Sequence, residues 1–230
     1  MAVQWAYTSD LMDSTVTTGH RHPNIAESAF LARGRRLEYL TIAWNGFEAA
    51  VALAAGCLAG SVALVGFGLD SVIEVASAFI LLWRLQPDTT PQRREVVEGR
   101  AHRLVGICFL LLAGYVVIES ARALWLHTVP ERSILGIAIA IAAVVVMPLL
   151  GRAKRKVAAE LGSGALHSDS RQADFCAYLS AILLLGLALN WLLGWWWADP
   201  AAALVMVPII AREGLQGLLG KGCDDCACTG

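Results

Sequence analysis

The segment GSVALVGFGLDSVIEVASAFILLW, residues 60–83, combines the length of a membrane span with two acidic side chains in its interior. From Val62 to Trp83 the residues are almost all apolar or small, apart from Asp70 and Glu74. A helix needs about 20 apolar residues to cross the hydrocarbon core of a bilayer, so the segment predicts a transmembrane helix. The apolar residues are continuous rather than alternating with polar ones, which excludes the strands of a membrane β-barrel.

Five further apolar runs of comparable length flank this one. The chain is 57% hydrophobic and only 16% charged, whereas about a quarter of the residues of an ordinary soluble domain are charged. We therefore predict an all-α membrane protein, a six-transmembrane-helix bundle. Its helices are expected at residues 39–58, 62–83, 104–125, 134–150, 165–193 and 198–219.

Three regions follow from this pattern. Residues 1–37 are predicted to be a polar cytoplasmic tail, because their first 30 residues contain no apolar segment of the kind found in a secretory signal. Residues 38–219 would form the transmembrane domain. Residues 220–230 would form a cysteine-rich cytoplasmic tail, and no soluble C-terminal domain is expected after the sixth helix.

Lysine and arginine residues concentrate in alternate connections between the predicted helices. Cytoplasmic loops carry this excess in membrane proteins, so both termini are predicted to be cytoplasmic and the protein to lie in the cell membrane. The basic residues precede helix 1, surround the connection between helices 2 and 3, and separate helices 4 and 5: Arg33, Arg35, Arg36, Arg84, Arg93, Arg94, Arg100, Arg103, Arg152, Lys154, Arg155 and Lys156.

Asp70 and Glu74 are the most informative polar residues of the chain. Their spacing of four places both carboxylates on one face of helix 2, where like charges repel unless a counter-ion or a shared proton intervenes. Helix 2 contains no Lys or Arg before Arg84, so a divalent cation is the counter-ion that we predict. The alternative is that one or both carboxyl groups are permanently protonated and hydrogen-bonded to a neighbour.

Glu48 and Glu119 are also acidic residues inside predicted spans, where ionisable groups commonly mark function. Glu119 precedes Arg122 by three residues, and this spacing favours an intrahelical ion pair. Glu48 of helix 1 shares a helix face with Trp44 and Asn45. It is a candidate for a proton path or for a hydrogen bond to another helix, and it is the next candidate for the metal site.

Helix 5 begins with the polar sequence HSDSRQADFC, residues 167–176. Asp169, Gln172 and Cys176 are spaced i, i+3, i+7 and share one stripe of the helix. Ser170 and Asp174 share another stripe, and Arg171 is the expected ion-pair partner of Asp174. Cys176 is either a metal ligand or a small apolar filler, since buried free cysteines commonly behave as hydrophobic residues.

The C-terminal tail contains Cys223, Cys226 and Cys228. Three thiols within six residues can converge on one soft metal ion, and we predict such a site there. The alternative is an incidental or redox-active cluster.

Residues 60–74 resemble the helix 1–2 signature of the cation diffusion facilitators: a Gly-Ser pair, an apolar run and two acidic residues four apart. Ala198-Asp199-Pro200, at the start of helix 6, is similar to the same family. The resemblance covers about residues 38–219. It implies a six-helix antiporter, usually a homodimer, that exports zinc or a related divalent ion in exchange for protons and holds the ion between helices 2 and 5.

In that family helix 5 usually supplies a His and an Asp four residues apart, preceded by another Asp three residues before the His. Aligning Asp169 with the preceding Asp puts Gln172 and Cys176 at the ligand positions, and this alignment is preferred. The other alignment puts Ser170 and Asp174 there. In both, helix 5 departs from the His and Asp of the family.

We accordingly predict a proton-coupled divalent cation efflux transporter for a Zn-, Fe-, Co- or Cd-like ion, with metal ligands Asp70, Glu74, Gln172, Cys176 and Asp169. A non-transporting membrane metal sensor or accessory protein is the alternative. An enzyme is not expected, since the sequence contains no HExxH motif and no glycine-rich phosphate loop. The expected partners are the metal cation, protons, lipid and a second copy of the chain, with no prosthetic group and no nucleic acid.

Overall fold

The computed structural model describes residues 25–84, 91–162 and 164–219. These residues form six helices, each with a segment long and apolar enough to cross a membrane. The predicted all-α six-helix class is therefore confirmed. The helices are α1 (Ile25–Ala59), α2 (Val62–Arg84), α3 (Pro91–Leu126), α4 (Ile134–Leu161), α5 (Gly164–Leu193) and α6 (Ala198–Leu219).

The outer surface of the bundle is apolar, as a lipid-facing surface must be. Leu111 is 68% exposed and Ile118 is 66% exposed, and both belong to the middle of α3. A monomeric soluble protein rarely exposes large contiguous apolar patches, so these side chains fit contact with lipid. Several acidic side chains of the spans are instead buried inside the bundle, among them Glu48, Asp70 and Glu74.

The helices are arranged as a group of four and a pair. α1 packs against α2 and α4, and α4 packs against α5, while α2 also contacts α5. α3 pairs extensively with α6, and this pair contacts the group of four through α2 and α5. One apolar core joins both parts and includes Phe67, Val116, Met147, Leu183 and Met206.

The α3–α6 pair is held at close range by glycine. A Cβ atom added at Gly106 would lie 2.7 Å from the Gly214 carbonyl oxygen. Real Cβ contacts are not that short, so the two backbones approach in a way that a larger residue would prevent. Small residues permit such close helix contacts inside membranes.

Asp199 joins the beginnings of α2 and α6. Its Oδ1 accepts a hydrogen bond from Ser61 Oγ at 2.5 Å, and its Oδ2 accepts one from the Val62 amide at 2.9 Å. The carboxylate therefore satisfies free amide groups at the N-terminus of α2. The two sequence patterns at residues 60–74 and 198–200 thus meet in space, and the first turns of α2 and α6 lie at the same level of the bundle.

Three helices are longer than predicted. α1 begins at Ile25 rather than near Tyr39, so part of the predicted polar tail 1–37 is helical; residues 1–24 lie outside the described residues. α3 begins at Pro91 rather than near Leu104. These polar extensions contain many good helix formers such as Ala, Glu, Arg and Leu, which continue a helix beyond the bilayer.

α4 continues through the basic residues that were predicted to connect helices 4 and 5. It ends at Leu161, where Gly162 adopts the left-handed conformation (φ 57°) that commonly terminates a helix. The extension places Lys154 inside the bundle, with only 1% of its surface exposed. The prediction that α4 ends near Leu150 was wrong, because the predicted end followed the apolar run and not the helix.

Candidate metal site

Asp70, Glu74 and Cys176 converge in the interior of the bundle. Each offers one ligand atom, and these atoms all lie within 4.8 Å of one another. All three side chains are buried. The spacing of four in α2 puts both carboxylates on one face, and the contact between α2 and α5 brings the thiol to them. Two carboxylates and a thiol at this separation can bind one metal ion.

A cavity lies beside this cluster, between α2 and α5 on one side and the α3–α6 pair on the other. Its polar lining comes from Asp70, Glu74, Cys176, Gln172 and Glu213. Its apolar lining comes from Phe109, Phe175, Leu179, Ile209 and Ile210. The apolar walls keep the local dielectric constant low, which strengthens the interaction between the acidic groups and any cation that enters.

Side chains of α1 hydrogen-bond to two members of the cluster. Asn45 Nδ2 donates a 2.7 Å hydrogen bond to Glu74 Oε2. Glu48 Oε1 accepts from Ser71 Oγ at 2.7 Å and from Cys176 Sγ at 3.7 Å, while its Oε2 accepts from Trp44 Nε1 at 2.7 Å. Asn45 and Glu48 are both fully buried. One helix face therefore orients a ligand of α2 and a ligand of α5.

Two polar atoms at this cavity are buried without a hydrogen-bond partner among the described residues. They are Gln172 Nε2 and Glu213 Oε1. Asn45 Oδ1, beside Glu74, is in the same state. A buried polar group that makes no hydrogen bond costs about 1–3 kcal/mol, so each of these groups requires an explanation, and a bound ion is one that fits a polar cavity.

The structure brings together four of the predicted ligands but not the fifth. Gln172 and Cys176 face the cavity with Asp70 and Glu74. Asp169 instead contacts the ammonium group of Lys154, which also lies 3.2 Å from Glu38 Oε2. Asp169 is absent from the described residues that form the cluster or line the cavity. Its predicted place among the ligands rested on its position on the helix stripe and on its alignment with the preceding Asp of the resembled family.

The lower-ranked candidates lie elsewhere or act indirectly. Asp174 Oδ2 accepts a hydrogen bond from Arg155 of α4 at 2.5 Å. The observed partner thus lies on another helix, and the pair with Arg171 stays a prediction. Ser170 donates to the His167 carbonyl oxygen. The Glu119–Arg122 pair is confirmed, with an N–O distance of 3.5 Å. Cys223, Cys226 and Cys228 lie outside the described residues.

Sequence reasoning missed two contributors to this region. Glu213 is an acidic residue within the predicted span of α6, so the test that singled out Glu48 and Glu119 also applied to it. The apolar pattern predicted Lys154 to lie in the connection between helices 4 and 5, whereas the residue is buried against two carboxylates. The local sequence does not indicate its partner Glu38, which precedes it by 116 residues.

Comparison with known proteins agrees with this architecture. Residues 39–218 match the cation efflux transmembrane domain. The chain belongs to the cation efflux family. Members of this family are transporters and not enzymes, and the chain is accordingly a multi-pass membrane protein. The matched range contains every residue of the cluster and of the cavity lining.

A similar protein is an uncharacterized transporter from Synechocystis sp. (strain ATCC 27184 / PCC 6803 / Kazusa). It is 31% identical over 159 residues, which cover 66% of this chain and 51% of the relative. The match thus spans about half the length of that relative.

Proposed function

We propose that this member of the cation efflux family exports a divalent metal cation in exchange for protons. The observation that carries the proposal is the convergence of Asp70, Glu74 and Cys176 within 4.8 Å in the interior of the bundle. Gln172, which lines the same cavity, would be the fourth ligand. The site would lie between α2 and α5, where it can be exposed alternately to the two membrane faces.

The charges of the site support coupling to protons. Burying two carboxylates costs far more when they are ionised and unpaired than when they are neutralised. Among the described residues that line the cavity, none is Lys or Arg. A divalent cation would neutralise the carboxylates in the loaded state, and protons would neutralise them after release. Alternating metal and protons therefore keeps the buried charge nearly constant.

The ligand set limits the choice of ion. Two carboxylates, an amide oxygen and a thiolate can form the tetrahedral site that suits zinc and comparable ions such as cobalt, ferrous iron or cadmium. Magnesium demands octahedral oxygen coordination and retains its water. We therefore propose a zinc-like substrate and not magnesium.

Flux through purified protein in sealed vesicles tests this function. Zn, Fe, Mn, Co, Ni and Cd would be compared with and without a pH gradient across the membrane. The wild-type protein should move at least one zinc-like ion faster when protons can flow in the opposite direction. Asp70→Asn and Glu74→Gln should each abolish flux while the protein still inserts normally.

Glu119→Gln is the matched control, because it removes a carboxylate that is paired with Arg122 away from the cavity. Its flux should equal that of the wild type. Wild-type flux in the Asp70→Asn, Glu74→Gln double variant would contradict the assigned site. Tight metal binding without any flux would favour a membrane metal sensor or accessory protein instead.

The resemblance to the cation diffusion facilitators also supports a homodimer in the cell membrane. Light scattering of the detergent-purified protein, corrected for bound detergent, should give twice the mass of the 24.6 kDa chain. A monomer that transports metal after reconstitution at very low protein density would refute the dimer as the functional unit.

A further inference from the structure

α6 contributes a carboxylate to the metal cavity, through Glu213. The residue lines the cavity together with Asp70, Glu74, Gln172 and Cys176. Its carboxylate is close enough to Asp70 to interact with it electrostatically. Its Oε1 is buried and has no hydrogen-bond partner among the described residues. Glu213 is nevertheless not among the three residues whose ligand atoms converge, so it occupies a different position along the cavity.

The depth of Glu213 follows from the shared starting level of α2 and α6. Asp199 ties the two N-termini together through Ser61 and Val62. A rise of about 1.5 Å per residue places Glu213 about 10 Å farther along the bundle than Asp70, and about 4 Å farther than Glu74. This direction leads to the membrane face where α1 begins and α6 ends. We call this face the terminus side.

Gln172 provides a second polar group at this end of the cavity. It precedes Cys176 by one turn of α5, on the side of the helix start, and therefore lies nearer the terminus side than the thiol does. Its Nε2 is buried without a partner among the described residues. Rotation of the amide exchanges this nitrogen for the oxygen, which can coordinate a cation.

We propose that Glu213 and Gln172 form a second cation position, which a divalent metal ion occupies between the terminus side and the Asp70–Glu74–Cys176 cluster. The inference rests on the proposed transport function. An oxygen-only pair on the approach path suits an ion that still keeps part of its water. The ion would exchange these oxygens for the carboxylates and thiol of the cluster as it moves inward, and Gln172 would serve both positions.

Arg171 gives this position a counter-ion. Both Arg171 and Arg212 interact electrostatically with Glu213, and Arg171 has the larger effect. In this proposal the guanidinium group offsets the charge of the carboxylate before a metal ion arrives, and an arriving cation competes with it. A carboxylate that binds metal and an arginine that competes with the metal have opposite effects on metal affinity, whereas the two partners of a purely structural ion pair do not. Removing the carboxylate and removing the arginine must change metal affinity in opposite directions.

Transport measured separately from the two membrane faces tests the proposal. Inside-out and right-side-out vesicles would give the KM for zinc or cobalt on each side. Glu213→Gln should raise KM on the terminus side about tenfold with little change in kcat, and should leave KM on the opposite side unchanged. Glu213→Asp, which retains the carboxylate, should recover most of the lost affinity. Arg171→Gln should lower KM on the terminus side.

Glu160→Gln is the matched control, because it removes an exposed carboxylate near the terminus-side end of α4. It should leave both KM values unchanged. Equal KM values for Glu213→Gln and the wild type would overturn the second position, and so would parallel changes in Glu213→Gln and Arg171→Gln. In either case an inactive Asp70→Asn would leave the transport function standing. Absence of flux in the wild type would instead overturn the transport function, and the second position with it.

Discussion

Among single residues, Cys176 decides how strongly the proposed site prefers soft metal ions. A thiolate favours softer ions, whereas carboxylate and amide oxygens favour harder ones. Cys176→Ser replaces the thiol by a poorer and harder ligand with little change in volume. We expect it to raise the KM for cadmium and zinc about tenfold or more and to change the KM for manganese much less. Competition between these ions in vesicle flux measures the shift.

Asp174→Asn is the control on the same helix. Asp174 pairs with Arg155, and about a third of each side chain is exposed. Exposed pairs of this kind contribute at most about 1 kcal/mol, and this one lies outside the described lining of the cavity. Its metal preference should match that of the wild type. Loss of flux in Asp174→Asn together with normal preference in Cys176→Ser would support the alternative alignment of helix 5.

How well the sequence predicted the residues depended on whether they share a helix. Asp70 and Glu74 were found because a spacing of four fixes their common face, and the stripe of helix 5 placed Gln172 and Cys176 together. Asn45 shares no helix with its partner Glu74, 29 residues away. A local pattern holds no information about such a contact, because the packing of α1 against α2 determines it.

Among the helices, a buried ionic triad connects α1, α4 and α5. Lys154 is 1% exposed and contacts Glu38 of α1 and Asp169 of α5. Removing one partner of a buried ion pair typically costs about 3–5 kcal/mol, because the remaining charge is uncompensated. Lys154→Met should therefore lower the melting temperature of the protein in detergent markedly, as followed by the loss of its monodisperse peak in size-exclusion chromatography.

The control for this prediction neutralises all three groups. Lys154→Met combined with Glu38→Gln and Asp169→Asn leaves no unpaired charge, so it should recover much of the lost stability. A triple variant that melts no higher than Lys154→Met would show that packing of the lysine side chain, and not its charge, stabilises this contact.

The sequence predicted the end of a helix correctly where the helix ends together with its apolar run. α2, α5 and α6 stop close to their apolar runs, and their predicted bounds agree with the structure to within a residue. α1, α3 and α4 continue into polar sequence, where the apolar pattern gives no signal. The buried triad explains part of this, since α4 must extend beyond Leu150 for Lys154 to reach its two acidic partners.

For the whole molecule, the direction of transport depends on which face of the membrane carries the termini. Six spans return the chain to the side on which it started, so α1 begins and α6 ends on one face. Arg33, Arg35 and Arg36 lie at that face, as does the basic end of α4. The positive-inside rule then predicts that this face is cytoplasmic, which makes the Glu213 end of the cavity the cytoplasmic entrance.

Cysteine labelling in intact cells measures this orientation. Ser61 is unsuitable as a reporter because it is buried against Asp199. Thr128, between α3 and α4, and Glu160, near the end of α4, are both exposed and lie at opposite faces. Serine would replace Cys57, Cys108 and the three tail cysteines, while buried Cys176 remains. An impermeant maleimide should then label Thr128→Cys in intact cells and Glu160→Cys only after permeabilisation.

The reverse labelling pattern would invert the orientation and with it the direction of export, because metal would then reach Glu213 from outside the cell. It would leave the site itself intact, since the cluster and its cavity depend on contacts among α1, α2, α3, α5 and α6 and not on the side that faces the cytoplasm. The distribution of basic residues in α1 and α4 would then contradict the positive-inside rule, which counts lysines and arginines near the ends of the spans.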